Sequence, residues 1–153
     1  MKQNHFLSLL IFALMITQTS MYAQVVTVND LAGKWQLTKI EVVKLQGDTE
    51  LERQSYTAAT YPGKIYFEQV ECFPDGKAVY SGNCDAGLLS GGGIQLRSYN
   101  MRDYLTFNGR AMGVRFEFKW TETSGSFVLV NERLLKQQST EKEKIMLHYT
   151  KEQ

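Results

Sequence analysis

Short runs in which apolar and polar residues alternate constrain the fold of this chain more than any other feature. The clearest run spans residues 114–121, where Val, Phe, Phe and Trp alternate with Arg, Glu, Lys and Thr. Neighbouring side chains of a β-strand point to opposite faces, so this run predicts a strand with one apolar and one charged face. Eight runs separated by turn residues span positions 35–45, 64–73, 77–82, 94–99, 104–108, 114–121, 126–134 and 144–150. The sequence therefore predicts an all-β fold of antiparallel strands.

The order of these strands favours a closed architecture. Eight consecutive strands with short connections indicate an up-and-down antiparallel barrel, because closure leaves no exposed strand edge. A β-sandwich is the alternative. Within the first strand, Trp35 and Leu37 share one phase whereas Ile40 and Val42 share the other, which predicts a bulge or bend between them.

Two longer segments interrupt the strand pattern. Residues 46–63 form an 18-residue gap, in which Thr49 and Glu52 fit a helix capping box, so one or two helical turns are expected there. The same gap contains Tyr56 and Tyr61, and it is either a binding lid or a plain surface excursion. Residues 131–144 are rich in Glu and Lys, and we expect a long solvated loop.

The first 23 residues have the features of a Sec-type export signal. Lys2 precedes an apolar run at residues 6–16, and Ala23 occupies the small-residue position before the expected cleavage site. That run has 11 residues, whereas a membrane-spanning helix needs about 20. We therefore expect residues 1–23 to be a cleaved signal and residues 24–153 to be a single domain. With no Cys after the cut for a lipid anchor, the periplasm or the cell exterior is the expected location.

Charge and length limit the function of the domain. The expected mature segment has 130 residues, with 16 Lys and Arg against 16 Asp and Glu. A neutral domain of this size lacks the positive charge that supplies affinity for phosphate backbones, so no nucleic-acid partner is expected. No membrane span is expected either, and a protein partner is not identified by the sequence.

Cys72 and Cys84 are the only cysteines, and an oxidising compartment favours a disulfide between them. The turn residues between them complicate this pairing. If residues 74–77 form a hairpin loop, Cys72 faces Val79 and Cys84 lies roughly 17 Å further along the strand, against the roughly 4.4 to 6.8 Å between Cα atoms that a disulfide tolerates. The bridge then requires the strand to break at Gly82; two free thiols are the alternative.

The entrance to the first strand carries a recognisable motif. Leu31-Ala32-Gly33-Lys34-Trp35 contains Gly-x-Trp after a short turn-like lead, and Phe73-Pro74-Asp75-Gly76 follows a later strand. This arrangement resembles the lipocalin superfamily, and in particular the small secreted lipocalin-like domains of bacteria. The resemblance implies a 3₁₀ helix before the motif, a structural role for Gly33, and Trp35 closing the bottom of an eight-stranded barrel.

The same family implies two further features. A basic residue packs on the face of the motif tryptophan, and Lys151, Arg133 and Arg115 are the candidates for it here. Arg102-Asp103-Tyr104 resembles the second family motif, Thr-Asp-Tyr, except at its first position. Family resemblance transfers architecture more securely than function.

The sequence contains no recognisable catalytic or metal-binding motif. His148 is the one histidine of the expected mature domain, and it lies on the phase opposite to the apolar residues at 145, 147 and 149. A single histidine excludes a multi-histidine metal site, and no Gly-x-Ser-x-Gly motif accompanies it. We therefore expect a surface histidine, no metal, no cofactor and no enzymatic activity.

Aromatic residues are the remaining candidates for a binding site. They are Phe107, Phe116, Phe118, Trp120, Phe127, Tyr149, Tyr56 and Tyr61. In one interpretation they line a pocket for a small hydrophobic or amphipathic ligand inside the barrel. In the other they fill the barrel core, and the protein acts through its surface as an envelope interaction or inhibitor module. A solid interior would argue against the first interpretation.

Overall fold

Nine antiparallel strands form one sheet in the computed structural model, which describes residues 27–63, 67–81, 92–108, 113–121, 125–135 and 140–153. A 3₁₀ helix (Val28–Leu31) precedes them. The strands are β1 (Gly33–Gln46), β2 (Thr49–Tyr56), β3 (Gln69–Cys72), β4 (Lys77–Ser81), β5 (Gly92–Tyr99), β6 (Arg102–Asn108), β7 (Gly113–Trp120), β8 (Ser126–Leu134) and β9 (Glu141–Lys151). The all-β prediction is confirmed.

Strand β1 closes the sheet into a ring. One of its edges pairs with β9 from Trp35 to Gln46, and the other edge pairs first with β3 and then with β2. From β3 to β9 each strand pairs with its neighbour in the sequence. The closed ring favours the barrel over the β-sandwich, and the predicted count of eight strands was one short because it missed β2.

The helical turn expected at residues 49–52 was wrong. Gly47, at φ +61°, and Asp48 form a two-residue turn that returns the chain along β1, and residues 49–56 pair with it from Gln46 to Ile40. A left-handed backbone at the turn is easily reached by glycine. Once the strand is in register with β1, its backbone groups are satisfied by the sheet instead of by a helix.

The long loop expected at residues 131–144 was wrong at both of its ends, and residues 136–139 lie outside the described residues. Strand β8 continues to Leu134 and β9 begins at Glu141. Opposite charges face each other across the hairpin: Lys142 Nζ lies 3.1 Å from Glu132 Oε1, and Arg133 Nε donates to Glu143 Oε2 over 2.8 Å. The charged residues that suggested a solvated loop are thus cross-strand partners.

The bend predicted within the first strand is confirmed. The register between β1 and β9 shifts between Leu37 and Lys39. Because of this bulge, Trp35 and Leu37 before it and Ile40 after it all pack in the core.

The predicted turn between Cys72 and Lys77 is present, but its expected register was off by one residue. The amide of Phe73 donates to the carbonyl of Lys77, and Cys72 pairs with Ala78 instead of Val79. The turn therefore occupies residues 73–76, with Gly76 at φ +80°.

Candidate functional site at the open end of the barrel

The lower end of the barrel is closed by Trp35. Its ring is 1% exposed, and its indole N–H donates to the carbonyl of Leu31 over 2.8 Å. Of the three basic candidates, Lys151 is the one over this ring, with Nζ 5.4 Å from the ring centroid. Gly33 has a φ of +126°, and a Cβ there would lie 2.6 Å from Lys151 Cε, so glycine allows the lysine to approach.

Five of the predicted ligand contacts pack against one another in the middle of the barrel. Phe107, Phe116, Phe118, Phe127 and Tyr149 are each at most 3% exposed. Ring centroids are 6.1 Å apart between Phe107 and Phe116, and 5.0 Å apart between Phe127 and Tyr149. Where these rings meet, the interior is a packed core.

The sixth predicted ring contact lies at the closed end. Trp120 is 37% exposed, and its ring centroid is 5.9 Å from that of Trp35.

Phe67 is a central core residue that was not among the sequence candidates. It is fully buried, with its ring centroid 4.5 Å from that of Phe107. The Tyr149 hydroxyl donates to the Phe67 carbonyl over 2.6 Å, and burial raises the pKa of that tyrosine above its ordinary value. The signal available in the sequence was the position of Phe67 within the run at residues 64–73.

The inner face of the barrel changes from apolar to charged towards its open end. Along β1 the inward positions run from buried Ile40 through half-buried Val42 to exposed Lys44. Along β9, read upwards, they run from buried Leu147 to Glu143, which pairs in register with Lys44. The charged and aromatic residues at this end, here called the rim, are Lys44, Glu52, Tyr56, Tyr61, Arg133 and Glu143.

Ion pairs connect the rim strands. Lys44 Nζ lies 2.6 Å from Glu52 Oε2, and Arg133 Nε donates to Glu143 Oε2 over 2.8 Å. The hydrogen bond to Glu52, together with the charge of that carboxylate, raises the pKa of Lys44. The rim thus offers groups of both charges beside one another.

The two remaining predicted ligand contacts, Tyr56 and Tyr61, lie in the rim. Their ring centroids are 5.6 Å apart in an edge-to-face arrangement, and the Tyr56 hydroxyl donates to Gln54. Burial and the nearby Glu143 carboxylate raise the pKa of Tyr61. Residues 57–63 follow β2, and Ala58 and Tyr61 pack on the core, so this segment covers part of the open end.

Half-buried apolar residues lie beneath the rim. Val42, Ala58 and Val114 are in contact with the core but are not fully covered by it. An amphipathic molecule can place its apolar part on such a surface and its polar part among the rim charges.

The outer face of the barrel carries a buried carboxylate that the sequence did not reveal. Glu41 is 7% exposed, with Lys39 Nζ 2.7 Å and Arg53 Nη1 3.5 Å from Oε1 and His148 Nε2 2.8 Å from Oε2. Burial alone would raise the pKa of Glu41, but the hydrogen bonds from Lys39 and His148 outweigh it and hold the pKa below its ordinary 4.5. His148 does face outwards, as its phase predicted, and it binds this carboxylate.

Several sequence predictions remain predictions. Cys72 is buried, and burial raises the pKa of its thiol to about 12. Its predicted disulfide partner, Cys84, lies outside the described residues, as does the predicted export signal at residues 1–23. Within the described ranges there is no group of three or more His, Cys, Asp or Glu side chains placed to hold a metal. Nor does that part of the chain contain a helix with the length and hydropathy to cross a membrane.

Comparisons with protein-family models, with curated proteins and with solved structures found no match to this chain.

Proposed function

We propose that this protein is a lipocalin-like binding protein of the periplasm or cell exterior, which takes a small hydrophobic or amphipathic ligand at the open end of its barrel. The observation that carries the proposal is the change of the inner face from buried apolar residues to half-buried Val42 and then to the rim. The proposal assigns no catalytic step, metal or cofactor to the protein.

The lipocalin-like part of the proposal is supported by the closed end. A 3₁₀ helix precedes Gly33 and Trp35, and Lys151 packs on the tryptophan, as the family resemblance implies. The export part is supported by the sequence of residues 1–23 alone.

The position of the ligand follows from the packed aromatic interior. Since Phe107 and Phe116 are covered by one another and by Phe67, they have little surface left to offer a ligand. Tyr56 and Tyr61 keep half-buried rings at the open end, next to charges of both signs. The ligand therefore contacts the tyrosine pair and the half-buried apolar surface below it.

The neutral fluorophore N-phenyl-1-naphthylamine tests this site. We expect a saturable fluorescence increase with the wild-type protein, and Tyr61→Ala should weaken binding about tenfold because a large aromatic contact is lost. Tyr99→Ala is the matched control, since Tyr99 is 69% exposed and lies at the far end of β5. Absence of saturable binding, or equal losses in both variants, would contradict the proposal.

Native mass spectrometry of the protein purified from the cells that make it tests for a natural cargo. We expect an added mass that is lost on denaturation and that is absent from Tyr61→Ala prepared in the same way. An added mass retained equally by both proteins would contradict the assignment of the ligand to the rim.

A packed barrel that acts through its surface as an interaction or inhibitor module is the second candidate. It is favoured by the filled interior and by β2, which is exposed from Thr49 to Ser55 and pairs with β1 alone among the described strands. An unpaired strand edge can accept an extended peptide. This candidate predicts no binding of N-phenyl-1-naphthylamine, which distinguishes it from the first.

A further inference from the structure

A second concave surface lies on the outside of the barrel, across β5, β6 and β7. Its volume is about 530 Å³, and it is separate from the rim, with which it shares no residue. The residues of interest in it are Arg97, Arg115, Tyr99, Tyr104, Gln95 and Thr106. We call it the outer concavity.

Strand register places the two arginines on either side of β6. Arg97 is the cross-strand partner of Tyr104, and Arg115 is the partner of Thr106 two residues further along. Neighbouring residues in these strands, such as Leu105 and Phe116, are buried in the core. The two guanidinium groups therefore project on the same outward face.

The positive charge of the outer concavity is not neutralised by its surroundings. In the described part of the chain, neither Arg97 nor Arg115 forms an ion pair, and no acidic side chain lines the concavity. The acidic Glu117 on the same face is held by Lys119 at 3.0 Å and by Arg102 at 3.5 Å. Ser98 also lines the concavity, and its hydroxyl donates to the nearby carboxylate of Asp103. An anion that enters the concavity would still meet two cations that are not ion-paired with a carboxylate of the described residues.

Contacts within the concavity orient one of these cations. The Cζ atom of Arg115 lies 5.1 Å from the centroid of the Tyr104 ring, which is a cation–π distance. Gln95 and Thr106 add neutral amide and hydroxyl groups, and the exposed ring of Tyr99 adds an apolar surface. A planar guanidinium held in place matches the paired oxygens of a carboxylate, sulfate or phosphate.

We propose that the outer concavity binds a small organic anion, with its oxyanion group between Arg97 and Arg115 and its apolar part against Tyr99. Carboxylate, sulfate and phosphate share the chemistry that this pair of arginines recognises. The site requires no opening of the barrel, so it works alongside the rim and does not depend on a ligand there.

NMR titration of the full-length protein with benzoate, acetate, sulfate and inorganic phosphate tests the site and separates the oxyanions. We expect saturable shifts of the Arg97 and Arg115 side-chain signals with at least one anion, and tighter binding of benzoate than of acetate because of the tyrosine contact. If none of the anions shifts these signals, or if benzoate and acetate bind equally, the proposal is overturned.

Substitutions distinguish a built site from a general attraction to positive charge. Arg97→Gln and Arg115→Gln should each raise the Kd about tenfold, the value expected for a lost charge-assisted hydrogen bond. Arg115→Lys keeps the charge but loses the planar fork and should raise the Kd about threefold. These exposed positions are expected to tolerate substitution, and circular dichroism checks the fold of each variant.

Arg102→Gln is the matched control, because Arg102 lies on the same strand as Tyr104 but is ion-paired with Glu117. It should change the Kd by less than about twofold. Equal weakening of anion binding by Arg102→Gln and Arg97→Gln would mean that the anion is attracted only by the general positive charge of this surface, and would overturn the proposal. Binding of N-phenyl-1-naphthylamine should be unchanged in all four variants, which separates this site from the rim.

Discussion

The two ends of the barrel are formed by the same strands but differ in polarity. At the closed end the inner face terminates in Trp35, which is buried against Phe127 and lies beneath Lys151. At the open end the same face terminates in the paired charges Lys44 and Glu52 and in a half-buried tyrosine pair. One end is therefore covered by apolar contacts, and the other keeps polar groups in contact with water.

This difference separates stability from binding. Burial of a large aromatic side chain contributes on the order of 2 to 3 kcal/mol. Exposed ion pairs contribute little, because solvent screens them. We therefore expect changes at the closed end to reduce the free energy of unfolding, and changes at the rim to affect ligand binding without much change in stability.

Trp35→Ala should give the largest loss of stability. It removes a fully buried ring, the hydrogen bond to Leu31 and the support for Phe127, and the expected loss in the free energy of unfolding is about 3 to 5 kcal/mol. Denaturant titration measures it. Trp120→Ala removes the same residue type from a partly exposed position and should cost clearly less; equal losses would mean that Trp35 does not close the barrel.

Gly33→Ala should give the second-largest loss of stability. The expected loss in the free energy of unfolding is about 2 to 3 kcal/mol, because Gly33 has a positive φ and Lys151 approaches it closely. Gly47→Ala is the matched control, since Gly47 also has a positive φ, but no atom of the described residues lies within 4 Å of a Cβ added there. Adding Lys151→Ala to Gly33→Ala should reduce the difference between the two glycine variants. A difference that stays unchanged would show that the lysine contact does not require the glycine.

Glu41→Gln should have an intermediate effect, because it leaves the cations Lys39 and Arg53 and the hydrogen-bonding ring of His148 around an uncharged amide on the outer face. The expected loss at neutral pH is about 1 to 2 kcal/mol. Glu117→Gln is the control, since that carboxylate also faces two cations but is more exposed and has no histidine partner.

The dependence of stability on pH tests the contribution of Glu41 separately. The pKa of Glu41 is lowered in the folded protein, so its contribution is complete above about pH 4.5 and is lost as the pH falls through the folded-state value. The loss of stability on acidification below about pH 4.5 should therefore be smaller in Glu41→Gln than in the wild-type protein. An identical acid dependence of the two proteins would contradict this assignment.

Arg133→Gln should have the smallest effect on stability, less than about 1 kcal/mol, because Arg133 is largely exposed in its pair with Glu143. Lys142→Gln in the same hairpin is the control. Thermal unfolding of both variants tests the expectation. A loss at Arg133 as large as that of Trp120→Ala would contradict the view that the open end contributes little to stability.

Alternation in the sequence was sufficient to predict most strands, since apolar residues recur at every second position, as at Leu105 and Phe107 in β6 and at Ile145, Leu147 and Tyr149 in β9. It could not predict β2, where residues 49–55 are exposed on both faces and carry no apolar period. There the short turn at Gly47 and the pairing with β1 impose the strand.

The rim could be predicted only in part, because it depends on strand register. Tyr56 and Tyr61 were candidates from the sequence, but nothing local indicates that Lys44 and Glu143 meet on the inner face. The pairing of Glu41 with His148 joins residues 107 positions apart, and closure of β1 onto β9 is what brings them together. The packing of the aromatic residues likewise follows from closure of the ring.

The most direct test of the contrast between the two ends is a map of amide chemical-shift changes during titration with N-phenyl-1-naphthylamine. We expect changes at Val42, Tyr56, Tyr61 and Val114, at the open end, and almost none at Trp35. Changes centred on Trp35 and its neighbours, or spread evenly through the barrel, would contradict it.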